Sequence, residues 1–298
     1  MKTALLFVHA LSPLHAGTGQ GVGAIDLPTA REKATGLPYL PGSSLKGALR
    51  DLCDNDADRH AIFGPETEQA DDRAGAAQFG DARLLLLPVR SLGGTFAWVT
   101  SPYVLDRFAR DASDAGAPEV PSVIPEPQQT GCMVAEGSVL GVARNGGRRV
   151  YLEDLDLDLP ENADATWATW LGKRLFPAHE RWRTLLTQRF CVVHDEIMSF
   201  LLETALEVVA RIRLEDESKT VKRGGLWYEE SLPTETVLQG LLLTGPELRS
   251  RSRGEGALKS AEQVLQTLAG LAAHRPLQLG GKATVGRGLC RIALVEGR

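Results

Sequence analysis

The chain has little cysteine. Cys53, Cys132, Cys191 and Cys290 are its four among 298 residues, and no two form a C-x-x-C pair or lie beside paired histidines. That spacing excludes the usual structural zinc signatures and fits a reducing compartment, each thiol serving as a small buried apolar side chain. Long apolar runs are missing too, so no segment reads as a bilayer-spanning helix. Lys2 precedes only a short apolar run before His9, unlike a secretory signal. The expectation is a soluble cytoplasmic protein with no membrane partner. Positive charge is in deficit: 33 Lys and Arg face 38 Asp and Glu, for a net charge of −5. Domains that bind nucleic acid are usually basic overall, so such a role here requires a basic groove under an acidic exterior. A hydrophobic fraction of 43% and a charged fraction of 24% are ordinary for a globular chain.

Two phosphate-binding motifs are absent as well. Gly42 and Gly47 are followed by Ala48, not by the Lys-[Ser/Thr] of a Walker loop. The spacing from Gly17 to Gly23 does not satisfy G-x-G-x-x-G, and no βαβ unit with a following acid is evident. Nucleotide-cofactor chemistry is therefore disfavoured.

What is present is glycine, concentrated in residues 9–50, HALSPLHAGTGQGVGAIDLPTAREKATGLPYLPGSSLKGALR. An apolar strand over residues 4–10 leads into a loop carrying Gly17, Gly19, Gly21 and Gly23. Glycines at this density let a backbone approach a ligand and adopt positive φ. Asp26 follows as a lone acid among apolar residues, then a basic patch, then a helix over residues 43–50. Ser43 or Ser44 can cap that helix, whose N-terminus then faces an anion. Lys46 and Arg50, four apart, share one helix face. The stretch reads as a phosphate-backbone cradle with one carboxylate beside it. The plainer alternative is a loop that reverses the chain, with Asp26 forming an Asx turn before Leu27-Pro28.

Further along, residues 54–73 read as an acidic solvated connection, and residues 76–87 and 95–99 as strands. Pro102 after Ser101 starts a helix reaching about Asp111. Residues 112–129, rich in Pro and Ala, read as weakly structured. Residues 134–159 contain two alternating runs joined by Arg144-Asn145-Gly146-Gly147-Arg148-Arg149, a hairpin signal. Its arginines either meet an anion or keep an exposed tip soluble. Trp167 and Trp170 belong to the apolar face of a helix over residues 167–186. A strand at 189–193 follows, then a helix opened by His194 and Asp195. Strands fill residues 208–243, and an amphipathic helix residues 257–273. A second glycine loop, LQLGGKATVGRGL, carries Lys282 and Arg287 before a last strand at 290–295.

PLHAGTGQGVGAIDLP with PYLPGSSLKGALR, then R-I-R with G-L-W-Y-E-E-S-L-P, then the second glycine loop, resemble the RAMP superfamily of CRISPR proteins. More narrowly, they are similar to the repeated backbone subunit of the type III-B (Cmr) effector complex. The likeness spans most of the chain and is loosest over residues 112–189. It implies an α+β fold in a single domain 1–298, a ferredoxin-like (RRM-like) palm built from both chain ends. Insertions within about 54–190 would form a thumb β-hairpin, at 134–159, and a helical fingers-like part.

The resemblance implies an RNA-guided endoribonuclease of antiviral defence that cuts target RNA at regular intervals through 2′-hydroxyl attack. The implied partners are a crRNA guide, complementary target RNA, copies of the same chain in a helical filament and other Cmr subunits. The implied cofactor is a divalent metal ion, Mg2+ or Mn2+, at Asp26. Asp26 matches the catalytic position, and His15 matches a second one, where it could orient Asp26, touch phosphate or simply pack. Gly17, Gly19, Gly21, Ser43, Ser44, Lys46, Arg50, Lys282 and Arg287 would hold the RNA backbone, with Tyr228 and Glu229 supporting the site. A guide-binding filament subunit that cuts nothing is the competing reading.

Overall fold

The computed structural model describes residues 1–17, 25–65, 74–144, 146–160, 164–246, 259–273 and 275–297. The expected first strand is β1 (Lys2–Ala10), which buries seven consecutive residues from Ala4 onward and so lies at the centre of a sheet. After it come β2 (Tyr39–Leu40), α1 (Gly42–Asp51), α2 (Asp56–Phe63), β3 (Ala77–Phe79), β4 (Ala82–Ser91) and β5 (Thr95–Thr100). The middle of the chain forms α3 (Pro102–Asp114), β6 (Cys132–Val134), β7 (Val142–Arg144), β8 (Gly147–Leu152), β9 (Leu155–Leu159), α4 (Thr166–Leu175), α5 (Glu180–Arg189), β10 (Phe190–Val193) and α6 (Asp195–Thr204). The last part forms β11 (Glu207–Leu214), β12 (Val221–Ser231), β13 (Val237–Thr244), α7 (Ala261–Ala272), β14 (Leu277–Gln278) and β15 (Leu289–Glu296).

The fold is mixed α+β. Among the described residues the main sheet runs β14-β15-β1-β13-β4-β5-β10-β6. β15, β1, β13 and β4 are mutually antiparallel neighbours, with Leu5 opposite both Leu241 and Val295. The first and last strands are therefore hydrogen-bonded to each other, which brings the two chain ends together. α1 lies between β1 and β4 in the chain and α7 between β13 and β15; α7 packs on β1, β13 and β15. α7 starts on a Ser260–Gln263 capping box and buries Val264, Leu265 and Leu268, the face its periodicity indicates. Leu5, Phe7, Trp98, Phe108 and Trp167 are fully buried in the resulting core, each side chain contributing about 1.5–3 kcal/mol of hydrophobic stabilisation.

Several local expectations hold and several change. Ser101 and Pro102 do start α3, which runs three residues beyond Asp111. His194 is the cap of α6, its ring nitrogen accepting from the Glu196 amide. The four cysteines are all buried. The Pro-rich segment after α3 is not a free linker: Trp167 Nε1 donates to the Val123 carbonyl and Trp170 Nε1 to that of Pro118. The arginine-bearing hairpin is the short pair β7–β8, whose turn residue 145 lies outside the described residues. It joins the main sheet at its base through the Ser91–Leu152 pairing of β4 with β8, and Arg149 pairs with Asp158 at 2.9 Å. The ribbon that stands as its own two-stranded sheet is β11–β12. Period-two alternation identifies strands but not which sheet each one joins, because that depends on partners far along the chain.

Candidate nucleic-acid interface

The glycine segments from the two ends of the chain interlock. The Gly281 amide donates to the His15 carbonyl at 2.9 Å, and the Gly288 amide to the Pro13 carbonyl at 2.8 Å. The Leu289 amide reaches Ser12 Oγ at 2.9 Å. At Gly280, φ is +70° and a Cβ would lie 2.4 Å from the His15 carbonyl oxygen, so the approach requires glycine. A cleft of about 400 Å³ opens between the segments and α1, lined by Gly17, Ser44, Gly47, Ala48, Gly280 and Gly281. Gly19, Gly21 and Gly23 lie outside the described residues.

Asp26 is exposed, and its Oδ2 accepts from the Tyr228 amide at 2.8 Å, 202 residues away. The bond is tertiary; the carboxylate does not close an Asx turn on Leu27-Pro28. Beside it the backbone docks on β12, the Leu27 amide donating to the Tyr228 carbonyl and the Glu230 amide to the Leu27 carbonyl. His15 is buried, with Nδ1 2.7 Å from the Glu230 carbonyl oxygen. That carbonyl can only accept, so Nδ1 carries the proton and Nε2 points toward Gly17, where a Cβ would come within 2.5 Å of it. His15 therefore does not orient Asp26 directly; both are fixed by β12, at positions two residues apart.

The supporting residues separate by face, as strand alternation requires. Tyr228 is exposed, while Glu229 is 2% exposed. Glu229 accepts from Lys282 Nζ at 2.8 Å, Trp227 Nε1 at 2.8 Å and Arg211 Nε at 3.3 Å. Burial alone would raise its carboxyl; the hydrogen bonds from Lys282, Trp227 and Arg211 more than offset this and hold it down at about 2. Glu230, also buried, accepts from Arg31 at 2.9 Å and from the Thr29 amide at 2.8 Å. Arg31 lies outside the motifs that carry the resemblance; Arg211, Trp227 and Glu230 lie within them but are not singled out there as site residues. Adjacent acids in the strand are the available signal, since alternation turns at least one of two neighbours inward; here both are buried.

The packing also places the other residues expected to hold the RNA backbone, and corrects the expected helix cap. Neither Ser43 nor Ser44 caps α1; the cap position is Pro41, and the Gly42 amide is taken by Asp81 Oδ1 at 2.8 Å. Gly42 also packs against Phe79, so its amide is closed to an outside anion. Ser44 does line the cleft, while Ser43 is exposed outside it. Lys46 and Arg50 share a face as expected, but the face turned to the cleft carries Ser44, Gly47, Ala48 and Asp51. Arg50 donates to the Gly64 carbonyl at 2.7 Å, tying α1 to the end of α2. Arg287 is buried on Ser231 Oγ at 2.8 Å and Glu207 at 3.1 Å, a strut under the second loop.

Among the described residues, no three His, Cys, Asp or Glu side chains gather as a metal cage. Asp26 Oδ1 makes no hydrogen bond among them. Mg2+ commonly binds through one or two carboxylates plus substrate phosphates, and a single outward carboxylate fits that mode. No helix among the described residues is long and apolar enough to cross a membrane.

A model of the RAMP superfamily matches residues 7–291 of the chain. The CRISPR system Cmr endoribonuclease Cmr4 of Pyrococcus furiosus is 36% identical over 302 residues, covering 99% of this chain and 97% of that protein. Among solved structures, oligomeric Cmr4 from Pyrococcus furiosus is similar with a TM-score of 0.73 and 28% identity, over 99% of this chain and 98% of that one. A chain of the type III-B Cmr-beta complex bound to cognate target RNA has a TM-score of 0.70 at 20% identity, covering 99% and 97%, a likeness of fold.

Proposed function

The chain belongs to the RAMP superfamily, and from that membership we propose that it is a repeated backbone subunit of a type III-B CRISPR ribonucleoprotein, binding a crRNA guide and cutting complementary target RNA. One observation carries the reading: a lone exposed acid, Asp26, is fixed by β12, the strand that also anchors His15 beneath two interlocked glycine segments. The relative's description as an endoribonuclease and the oligomeric state of its structure support cleavage and self-association. Guide and target are paired with each other, so sequence is read by base pairing and the protein meets backbone shape.

The strand order β15-β1-β13-β4 with α1 and α7 as connections supports a ferredoxin-like palm made from both chain ends, in one domain. The ribbon β11–β12, a sheet of its own with an exposed far end, suits the thumb better than β7–β8 does, and the helices of the middle segment suit the fingers. Gly17, Gly280, Gly281 and Ser44 line the groove we assign to the guide backbone.

In the cleavage step the target 2′-hydroxyl gives its proton to Asp26 and its oxygen bonds to the adjacent phosphorus. The P–O5′ bond breaks, and the departing oxygen takes a proton from water. The products are a 2′,3′-cyclic phosphate and a 5′-hydroxyl. Where Asp26 instead held a divalent ion, Mg2+ or Mn2+, through Oδ1, the ion would neutralise phosphate charge and Asp26 would not be the base. Tyr228 aims Asp26 through its amide, and His15 fixes the loop junction.

The test is an assembled particle incubated with complementary RNA. Wild type should give products at constant spacing. Asp26→Asn should abolish them while target binding stays intact, and undiminished cutting by that variant would remove Asp26 from the mechanism. A 2′-deoxynucleotide at the scissile position should block its cut; cleavage there would refute the 2′-hydroxyl route.

A further inference from the structure

Glu229 lies one residue along β12 from the amide that holds Asp26, and it gathers more positive charge than it needs. One buried carboxylate is balanced by one cation; Glu229 has two, Lys282 and Arg211, besides the Trp227 indole. The trio carries a net single positive charge in a fixed arrangement. Lys282 and Arg211 each leave about a third of the side chain in solvent, 32% and 33%, so one side of each is bound and the other is open.

The backbone at Lys282 adds a second observation. Its φ is +68°, in the left-handed region, while the other left-handed positions of the loop are Gly280, Gly286 and Gly288. A side chain there costs about 1 kcal/mol that glycine avoids. Lys282 carries that cost and places its ammonium on Glu229, the neighbour along β12 of the residue whose amide holds Asp26. Its place is set by three donors converging on one nearly inaccessible carboxylate.

We propose that Lys282 and Arg211, with Glu229 as their positioning residue, supply the fixed positive charge that meets the scissile phosphate of the target strand. The inference rests on the cleavage reading above and moves Lys282 from the guide backbone to the target phosphate. As O2′ bonds to phosphorus and O5′ departs, negative charge builds on the non-bridging oxygens. Preorganised cations are most effective where charge develops in this way. Glu229, already saturated by its donors, fixes their positions and has no part in proton transfer.

Assembled particles carrying Lys282→Met, Lys282→Arg, Arg211→Met and Asp26→Asn are compared in single-turnover cleavage, with guide retention and target affinity measured separately. Lys282→Met and Arg211→Met should each slow cleavage by about 100- to 1,000-fold at unchanged guide and target affinity, the range for losing one charge-stabilising donor. Lys282→Arg should recover most of the rate, because the position needs charge. Wild-type rates in both methionine variants would overturn the inference, as would losses that only track weakened guide or target binding. Full cutting by Asp26→Asn would instead overturn the cleavage reading on which it stands.

Discussion

The His15 carbonyl accepts the Gly281 amide at 2.9 Å, joining a residue near the start of the chain to one near its end. Its ring accepts no such freedom either, since Nδ1 is held by Glu230 on β12. His15 is thus the knot where the first glycine segment, the second glycine segment and β12 meet.

Gly280 makes that knot possible. Gly280→Ala should lower stability by about 2–3 kcal/mol, combining a left-handed φ with a Cβ 2.4 Å from the His15 carbonyl. Gly286→Ala, also left-handed but with nothing within 4 Å of its Cβ, should cost only about 1 kcal/mol. Urea midpoints of the two variants check this, and equal losses would show that the contact with His15 is not tight.

Gly47 sits inside α1 with nothing within 4 Å of an added Cβ, yet it lines the cleft. Gly47→Ala should stabilise the chain by up to about 1 kcal/mol, the ordinary gain for alanine over glycine in a helix. Gly47→Glu should leave the melting temperature near wild type but weaken guide retention several-fold, by filling the cleft with bulk and negative charge. Retention equal to wild type in the glutamate variant would exclude this cleft as the guide groove.

Lys46 and Arg50 should behave differently although they share a helix face. Lys46 makes no ion pair among the described residues, whereas Arg50 ties α1 to Gly64. If Lys46 meets a guide phosphate, Lys46→Ala makes the slope of log affinity against log salt shallower by about 0.7, the value for one single-strand phosphate contact. Arg50→Ala should instead lower the melting temperature. A salt titration of guide retention decides, and an unchanged slope for Lys46→Ala removes it from the interface.

Acid should release a second network. Glu32 accepts from both Arg107 nitrogens, at 2.6 and 2.8 Å, and forms an ion pair with Arg83 at 3.0 Å. The Arg107 hydrogen bonds are the main cause that holds its carboxyl down at about 2. A carboxyl lowered on folding stabilises fully above its unfolded value near 4.5 and loses that contribution as pH falls through about 2. Glu32→Gln should cost about 2 kcal/mol at neutral pH, discounted for the 22% of the side chain that water reaches. The gap to wild type should close between pH 4.5 and 2 in denaturation curves; a gap independent of pH would show that Glu32 contributes by packing alone.

Much of the local structure was already determined by the sequence. The continuous apolar run of β1, the Ser-Pro start of α3 and the 3.6-residue pattern of α7 are set by neighbours a few residues away, so they are legible in order. The density of glycine marked both loops, and the isolation of Asp26 marked the acid. Tertiary structure alone decided which of the cations stay available. Arg287 and Arg50 became struts, and Ser43 and Ser44 yielded the cap to Pro41, because partners such as Glu207, Gly64 and Asp81 arrive from elsewhere in the chain. The same holds for the pairing of Asp26 with Tyr228 across 202 residues. Residue type declares what a group can do, but which partner reaches it first depends on strand order, and no local pattern encodes that.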